Sequence, residues 1–501
     1  MADVVPICEP APMPGVSAHF EENPFMRRLC FWCVALGLTV SAVQAQNNPS
    51  EAEQIRRQLQ QANEAFQKAV EEYRKATEAL NQRLEQLQSK EGRAAPTVST
   101  NPPVAAATNN VPPAVAEKPW SATDPIRVGG PQAYLNLSFD ALFAAGWTTA
   151  EDVGALQLGG HDPNQRGFTV QNLEAVFEGR VDPYLRGQAS IVLQIDPDGE
   201  TVVEAEEAFL ETMSLPWNLQ VKAGQYFTEF GRLNPTHPHT WDFVDQPLVN
   251  GRFFGGDGLR NPGARVSWLV PTPFYSEVFL GVQNSQGETA ESFRSDHEDE
   301  FFLGRPAVET RVKGFGDMLY TPRYAASFNL TDEQTLVLGG SGAFGPNASG
   351  SDTDTQIYGV DLFYKWKPRT HSKGFPYVSW QSEWMYRRYE AGTFEGDADH
   401  PAQPRETLKD WGMYSQVSWG FRRGWVGSLR GDYVTGEDAA LGSDADRDTR
   451  WRISPALTYY PTEFSKVRLQ YNYDDRDHIG VDHSVWLQFE FLLGAHAAHK
   501  F

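Results

Sequence analysis

The chain has 501 residues, of which 40% are hydrophobic, 12% aromatic and 22% charged, with a formal net charge of −22 and a mean hydropathy of −0.48. An acidic balance of this size argues against a broad nucleic-acid surface, which needs basic charge. Beyond the N-terminal region there is no run of 18 or more apolar residues, so helical membrane spans are excluded there.

The N-terminus reads as an export address. In "MRRLCFWCVALGLTVSAVQA", Arg27 and Arg28 precede an apolar run from Leu29 to Val40, and small residues lie ahead of Gln46. That order predicts a secretory signal over 1–45 with cleavage after Ala45, and it fits a translation start at Met26. Cys8, Cys30 and Cys33 all precede that point, so the mature chain is expected to have no disulfide, thiol nucleophile or cysteine metal site.

Next, Ile55, Leu59, Ala62, Phe66, Ala69, Tyr73, Ala76, Leu80 and Leu87 follow heptad spacing among Glu, Gln, Lys and Arg. A seam of that kind needs partner helices, so residues 46–91 are predicted to form a coiled-coil helix, most simply a trimer or dimer. Residues 92–125 are Pro, Ala, Thr and Asn with little apolar bulk, the composition of an extended linker. The two segments leave no room for the globular plug of an energy-coupled receptor.

From Ile126 to Phe501 the apolar period changes to two. Strands are predicted near 133–144, 168–181, 185–195, 202–213, 218–226, 262–271, 275–282 and 318–330. Further ones follow near 334–344, 355–366, 376–390, 408–421, 425–434, 450–460, 465–473 and 483–493. Connections after even-numbered strands are short ("DPY", "SLPW", "PTPF", "TDE", "RRG", "PTEF"), with 367–375 slightly longer, and those after odd-numbered strands are mostly long. Such alternation is expected when antiparallel strands cross a membrane, with tight turns on the periplasmic side. Trp366, Trp411, Trp419, Trp451, Tyr459 and Tyr460 sit at strand ends, where aromatic girdles belong. The expected fold is all-β: a transmembrane antiparallel β-barrel of about 16 strands over 126–501, preceded by the periplasmic helix and linker. In the last strand Val485, Leu487, Phe489 and Phe491 would face lipid, and Gln488 and Glu490 the lumen.

A barrel of about 16 strands leaves a water-filled lumen. The connection over 227–261, after the fifth strand, is too aromatic and too punctuated by Pro and Gly for a solvated surface loop, and is predicted to fold inward as a constriction. Side-chain charge sets pore selectivity, so Arg232, Arg252 and Arg260 are the candidate basic lining, with Asp242, Asp245 and Asp257 as the acidic members. Arg186, Arg430, Arg452 and Arg468 are predicted to be lumen-facing. The pairs His237/His239 ("THPH") and His496/His499 ("HAAH") have spacings that can ligate Zn²⁺, although no cysteine or obvious carboxylate completes either set. No GxSxG, HExxH or phosphate loop occurs, so neither an enzyme nor a cofactor is expected.

The tract 224–270 ("GQYFTEFGRLNP…NGRFFGGDGLRNPGARVSWLVP"), the short turns and the ending "VWLQFEFLLGAHAAHKF" resemble bacterial outer-membrane porins of the phosphate-selective group, over most of 126–501. The resemblance implies a 16-stranded, often trimeric barrel in outer-membrane lipid, passing small hydrophilic solutes or ions, phosphate among them. The barrel region here is acid-rich, with no dense Arg/Lys ladder visible in the sequence. Two alternatives follow from other features. The coiled coil suggests a structural barrel tethered to the cell wall through peptidoglycan, and the C-terminus is similar to that of barrels associated with zinc supply, suggesting a zinc-related transporter.

Overall fold

The computed structural model of the protein describes residues 126–494, apart from 131–132, 198, 295–300, 309–310, 399, 441, 443 and 445. The predicted signal (1–45), coiled coil (46–91) and linker (92–125), with His496, His499 and Phe501, lie outside the described residues.

Sixteen long strands form one closed antiparallel barrel. They are β1 (Tyr134–Thr148), β2 (Gly167–Arg180), β3 (Leu185–Ile195), β4 (Thr201–Thr212), β5 (Leu219–Phe227), β6 (Arg260–Leu269), β7 (Tyr275–Asn284) and β8 (Met318–Thr331). The second half comprises β9 (Gln334–Pro346), β10 (Asp354–Trp366), β11 (Tyr377–Ala391), β12 (Glu406–Arg422), β13 (Trp425–Gly436), β14 (Arg450–Thr462), β15 (Ser465–Arg476) and β16 (Gly480–Leu493). Each strand pairs with its sequence neighbour, and β16 closes on β1 from Ser484↔Thr148 to Leu493↔Phe139. A short strand, Ile126–Gly129, adds to β1.

All sixteen predicted strands are present, each with ends close to those expected. The connection lengths follow the expected pattern. The β3–β4 link (196–200) and the β15–β16 link (477–479) are short exceptions on the long-loop side, as the predicted strand ends imply.

Closure leaves no free sheet edge, which a membrane cannot tolerate. It also divides every strand into an outer and an inner face. Outward side chains are apolar and exposed: Leu280 58%, Val360 55%, Leu429 55% and Leu469 50%. Inward ones are polar and buried, as with Arg468, Gln470 and Asn472 on β15. In β16, Val485, Phe489 and Phe491 are exposed while Gln488 is buried, as expected from the alternation.

Aromatic pairs ring both ends of the outer band. Trp425 packs on Tyr459 (4.6 Å) at the short-turn end, and Trp451 on Tyr473 (5.1 Å) toward the long loops. From Trp451 to Tyr459 the chain runs about 26 Å at ~3.3 Å per residue, which barrel tilt reduces to ~20 Å of height, close to the apolar thickness of an outer membrane. Tyr460 departs from the expected girdle. Its parity is inward, and it lies beside Arg468.

Leu429→Arg places a charge in the middle of this outer band. The substitution is expected to cost about 2–4 kcal/mol, read from denaturant unfolding of the protein in lipid vesicles. The inward neighbour exchange Ser428→Asn should change the midpoint far less. Equal effects at the two positions would contradict the assignment of faces.

Candidate functional site

The connection between β5 and β6, residues 228–259, lies inside the barrel. It contains a 3₁₀ turn (Pro238–Thr240) and a short helix, α1 (Leu248–Phe254), every residue of which is buried. Phe230, Leu233, Leu248, Val249, Phe253 and Phe254 form an apolar core with wall residues including Ile357, Met385, Tyr414 and Val434. Pro and Gly fix the turns, and the aromatics pay for desolvating the segment by burying against the wall.

One wall residue fixes the entry of the connection. Oε1 of Glu383 on β11 accepts from the backbone N–H of Leu233 (2.7 Å) and Arg232 (3.1 Å), and from the Tyr414 hydroxyl (2.6 Å). Gly231 has φ +58°, and a Cβ there would collide with the Glu383 carboxylate, so the turn needs glycine.

The wall formed by β13–β15 is basic, and it is committed to the connection. Fully buried Asp245 accepts from Arg430 (2.6 Å), Arg452 (3.0 Å), Gln470 (2.8 Å) and Asn472 (2.7 Å). Arg430 also pairs with Asp432 (2.7 Å), Arg450 with Asp474 (2.7 Å), and Arg452 with Asp474. Three guanidiniums thus face three carboxylates. Arg468 donates to the carbonyls of Phe243 (2.9 Å) and Trp241 (2.7 Å) and to Gln488 (2.8 Å).

The wall formed by β2–β4 is acidic where the connection meets it. His237 Nδ1 lies 2.7 Å from Glu206 Oε2 and 3.2 Å from Glu174 Oε1, while its Nε2 is 3.1 Å from Glu207 Oε2. His239 Nδ1 stands 3.3 Å from the second Glu174 oxygen. His161, on the β1–β2 connection, approaches Glu206 from the other side at 3.6 Å. A cavity of ≈20 Å³, room for about one water, lies alongside and is lined by His161, Glu206, Trp241, Asn250 and Asp257 among others.

The predicted charged residues do not gather into one ring. Arg232 stacks over Phe363 (3.8 Å) and donates to Gln381 (3.2 Å). Arg252 donates to the carbonyl of Asp448 (2.9 Å), and Arg260, which opens β6, is paired with Glu204. Asp242 accepts from Ser418 (2.9 Å), and Asp257 lies 3.9 Å from His161. Arg186 pairs with Glu178 (3.3 Å) and Glu211 (2.5 Å). The carboxylates that the "THPH" pair lacked in sequence are supplied by β2 and β4. Glu174, Glu206, Glu207, Glu383 and His161 were not singled out from sequence. Only the doublet Glu206–Glu207, which interrupts period two in β4, carried a readable signal.

No family model matches the chain. It is 32% identical over 371 residues to an uncharacterised protein of Aquifex aeolicus (strain VF5), covering 68% of this chain and 73% of that one. Solved structures similar to it include the outer membrane channel DcaP of Acinetobacter baumannii, 13% identical with a TM-score of 0.48, covering 73% of this chain and 99% of that one. The anion-selective porin from Comamonas acidovorans is 8% identical with a TM-score of 0.46, covering 72% of this chain and 100% of that one.

Asp245→Ala leaves Arg430 and Arg452 one carboxylate short in a dry site. The expected loss is about 3–5 kcal/mol, measured as a lower denaturation midpoint of the folded protein in detergent. Asp242→Ala removes a single hydrogen bond to Ser418 and is expected to cost only about 1 kcal/mol.

Proposed function

We propose that this chain, which belongs to the same family as that Aquifex aeolicus protein, is an outer-membrane porin: a passive channel for small hydrophilic solutes and ions, narrowed by residues 228–259. One observation carries this reading. A closed wall of sixteen strands, apolar outside and polar inside, encloses a connection folded into its lumen. Sixteen strands enclose more space than their own side chains fill, and the outer band matches lipid rather than water.

The sign of the preferred ion is read from the charges that border the cavity beside the connection. Phosphate passage, implied by the family resemblance, needs basic groups directed at the solute. Here Arg430, Arg452 and Arg468 are turned onto the connection, and Arg260 onto Glu204. The small cavity is instead bordered by Glu206 and Asp257. The reading favoured is therefore passage of small cations and neutral solutes ahead of anions.

Reconstitution into planar bilayers tests both levels. Stepwise conductance is expected, with a reversal potential of cation-selective sign in a KCl gradient that moves toward zero in Asp257→Asn. Absence of steps would overturn the channel, while an anion-selective sign would restore the phosphate reading.

The heptad seam of residues 46–91 supports a homotrimer with a periplasmic stem that reaches peptidoglycan. Deleting 50–91 is expected to weaken trimers on native gels and co-sedimentation with peptidoglycan, while single-channel conductance persists. Unchanged assembly and sedimentation would remove the stem from this account.

A further inference from the structure

The junction between the inner connection and the acidic wall has the make-up of a metal centre. Glu174 and Glu206 are fully buried, and His237 is 4% exposed. One donor atom from each lies within 4.8 Å of the other two. Ligands about 2.1 Å from a tetrahedral ion stand ~3.4 Å apart. The separation of His237 Nδ1 from Glu174 (3.2 Å) is close to that spacing, and that from Glu206 (2.7 Å) is shorter, so this pair opens on binding.

Three further features point the same way. First, both carboxylate oxygens of Glu206 are buried, and His237 Nδ1 stands 2.7 Å from one of them, so Glu174 and Glu206 converge on a single imidazole nitrogen. Second, His237 Nε2 is 3.1 Å from Glu207, a hydrogen bond that fixes the tautomer and leaves Nδ1 as the coordinating nitrogen. A carboxylate behind a ligating imidazole is the usual outer support of a metal-bound histidine. Third, the site is built by a strand irregularity. The β3–β4 ladder shifts between Ser190↔Glu207 and Ile191↔Ala205, so Glu206 is the extra residue of a β-bulge and both it and Glu207 are buried at the cluster. Three carboxylates in a dry site also demand compensating positive charge.

We propose that Glu174, Glu206 and His237 bind one divalent transition cation of the Zn²⁺ class, with Glu207 as a positioning residue, and that the ion clamps the connection to β2 and β4. The imidazole-plus-carboxylate set suits such an ion better than Ca²⁺, which takes six to eight oxygens. The proposal does not rest on the channel reading, because metal content is measured without conductance.

The test uses the full chain folded in detergent, stripped with chelator and reloaded with Zn²⁺, with metal counted by mass spectrometry and affinity measured by competition with a fluorescent chelator. One Zn²⁺ per chain is expected, undisplaced by excess Ca²⁺. Isosteric Glu206→Gln and His237→Ala should abolish stoichiometric retention. Glu207→Gln should weaken affinity by about 10–100-fold while keeping one site. The double variant His496→Ala/His499→Ala should keep wild-type retention. Wild-type protein that takes up no stoichiometric Zn²⁺, or Glu206→Gln and His237→Ala proteins that retain it, would overturn the site. Should either variant fail to assemble, Co²⁺ in the wild-type chain decides. The intense visible bands of a four-coordinate N/O-ligated ion would support the site, and the weak spectrum of hydrated Co²⁺ would overturn it.

Discussion

Closure of the hydrogen-bonded ladder, β16 onto β1, is the constraint on which the rest of this structure depends. Inside a bilayer an unpaired strand edge has no water to turn to, so the sheet must pair with itself completely. Once it does, each residue's parity decides its solvent. A slip of one residue would send Leu469 into the lumen and Gln470 into lipid. Closure also creates an interior too wide for wall side chains to fill. Residues 228–259 take up part of that space. Phe230, Leu248, Val249, Phe253 and Phe254 meet Ile357, Met385 and Tyr414 in a core that lies inside the barrel and is separate from the lipid-facing band.

An irregular segment at this depth carries backbone carbonyls that need donors. The basic wall supplies them. Arg468 reaches Phe243 and Trp241, Arg430 reaches Asp245 (2.8 Å), and Lys466 reaches His239. Arginine suits this role because its planar fork spans several acceptors while staying charged. The carboxylates of Asp245, Asp432 and Asp474 then balance the guanidiniums they touch. The basic side chains of β13–β15 thus hold the connection in place. A row of arginines along a barrel wall does not by itself announce an anion path.

The strands were legible in the sequence because every one of them meets the same two environments, lipid outside and a polar interior within. Period two therefore recurs from β1 to β16 with little interference from distant residues. The inward fold of the fifth-strand connection was legible as well, from its aromatics. What its charges touch was not. Asp245 reads as a pore-lining carboxylate until Arg430 and Arg452 are brought beside it, and they are 185 and 207 residues away. The apparent lack of a basic ladder has the same origin. Arg430, Arg450, Arg452, Lys466 and Arg468 share one wall but are spread over three strands, so no linear cluster betrays them. Glu383 and His161 were hidden for a related reason, since each acts on a segment far from it in sequence.

Two stretches of the wall, separated by β16 and β1, hold the connection by different physics. On the β13–β15 side, hydrogen bonds run from fixed guanidiniums to main-chain carbonyls, so this grip depends little on what surrounds it. On the β2–β4 side the wall offers carboxylates, and the connection answers with imidazoles: Glu174, Glu206 and Glu207 against His237 and His239. Carboxylates repel one another in a dry site unless positive charge stands between them. That charge comes from a proton on imidazole or from a bound cation, and both are exchangeable with the medium. The bulge at Glu206 adds a second carboxylate where a regular strand would direct one outward, which strengthens the demand. The acidic stretch is accordingly where the hold on the connection responds to solution conditions, while the basic stretch keeps the segment inside the barrel.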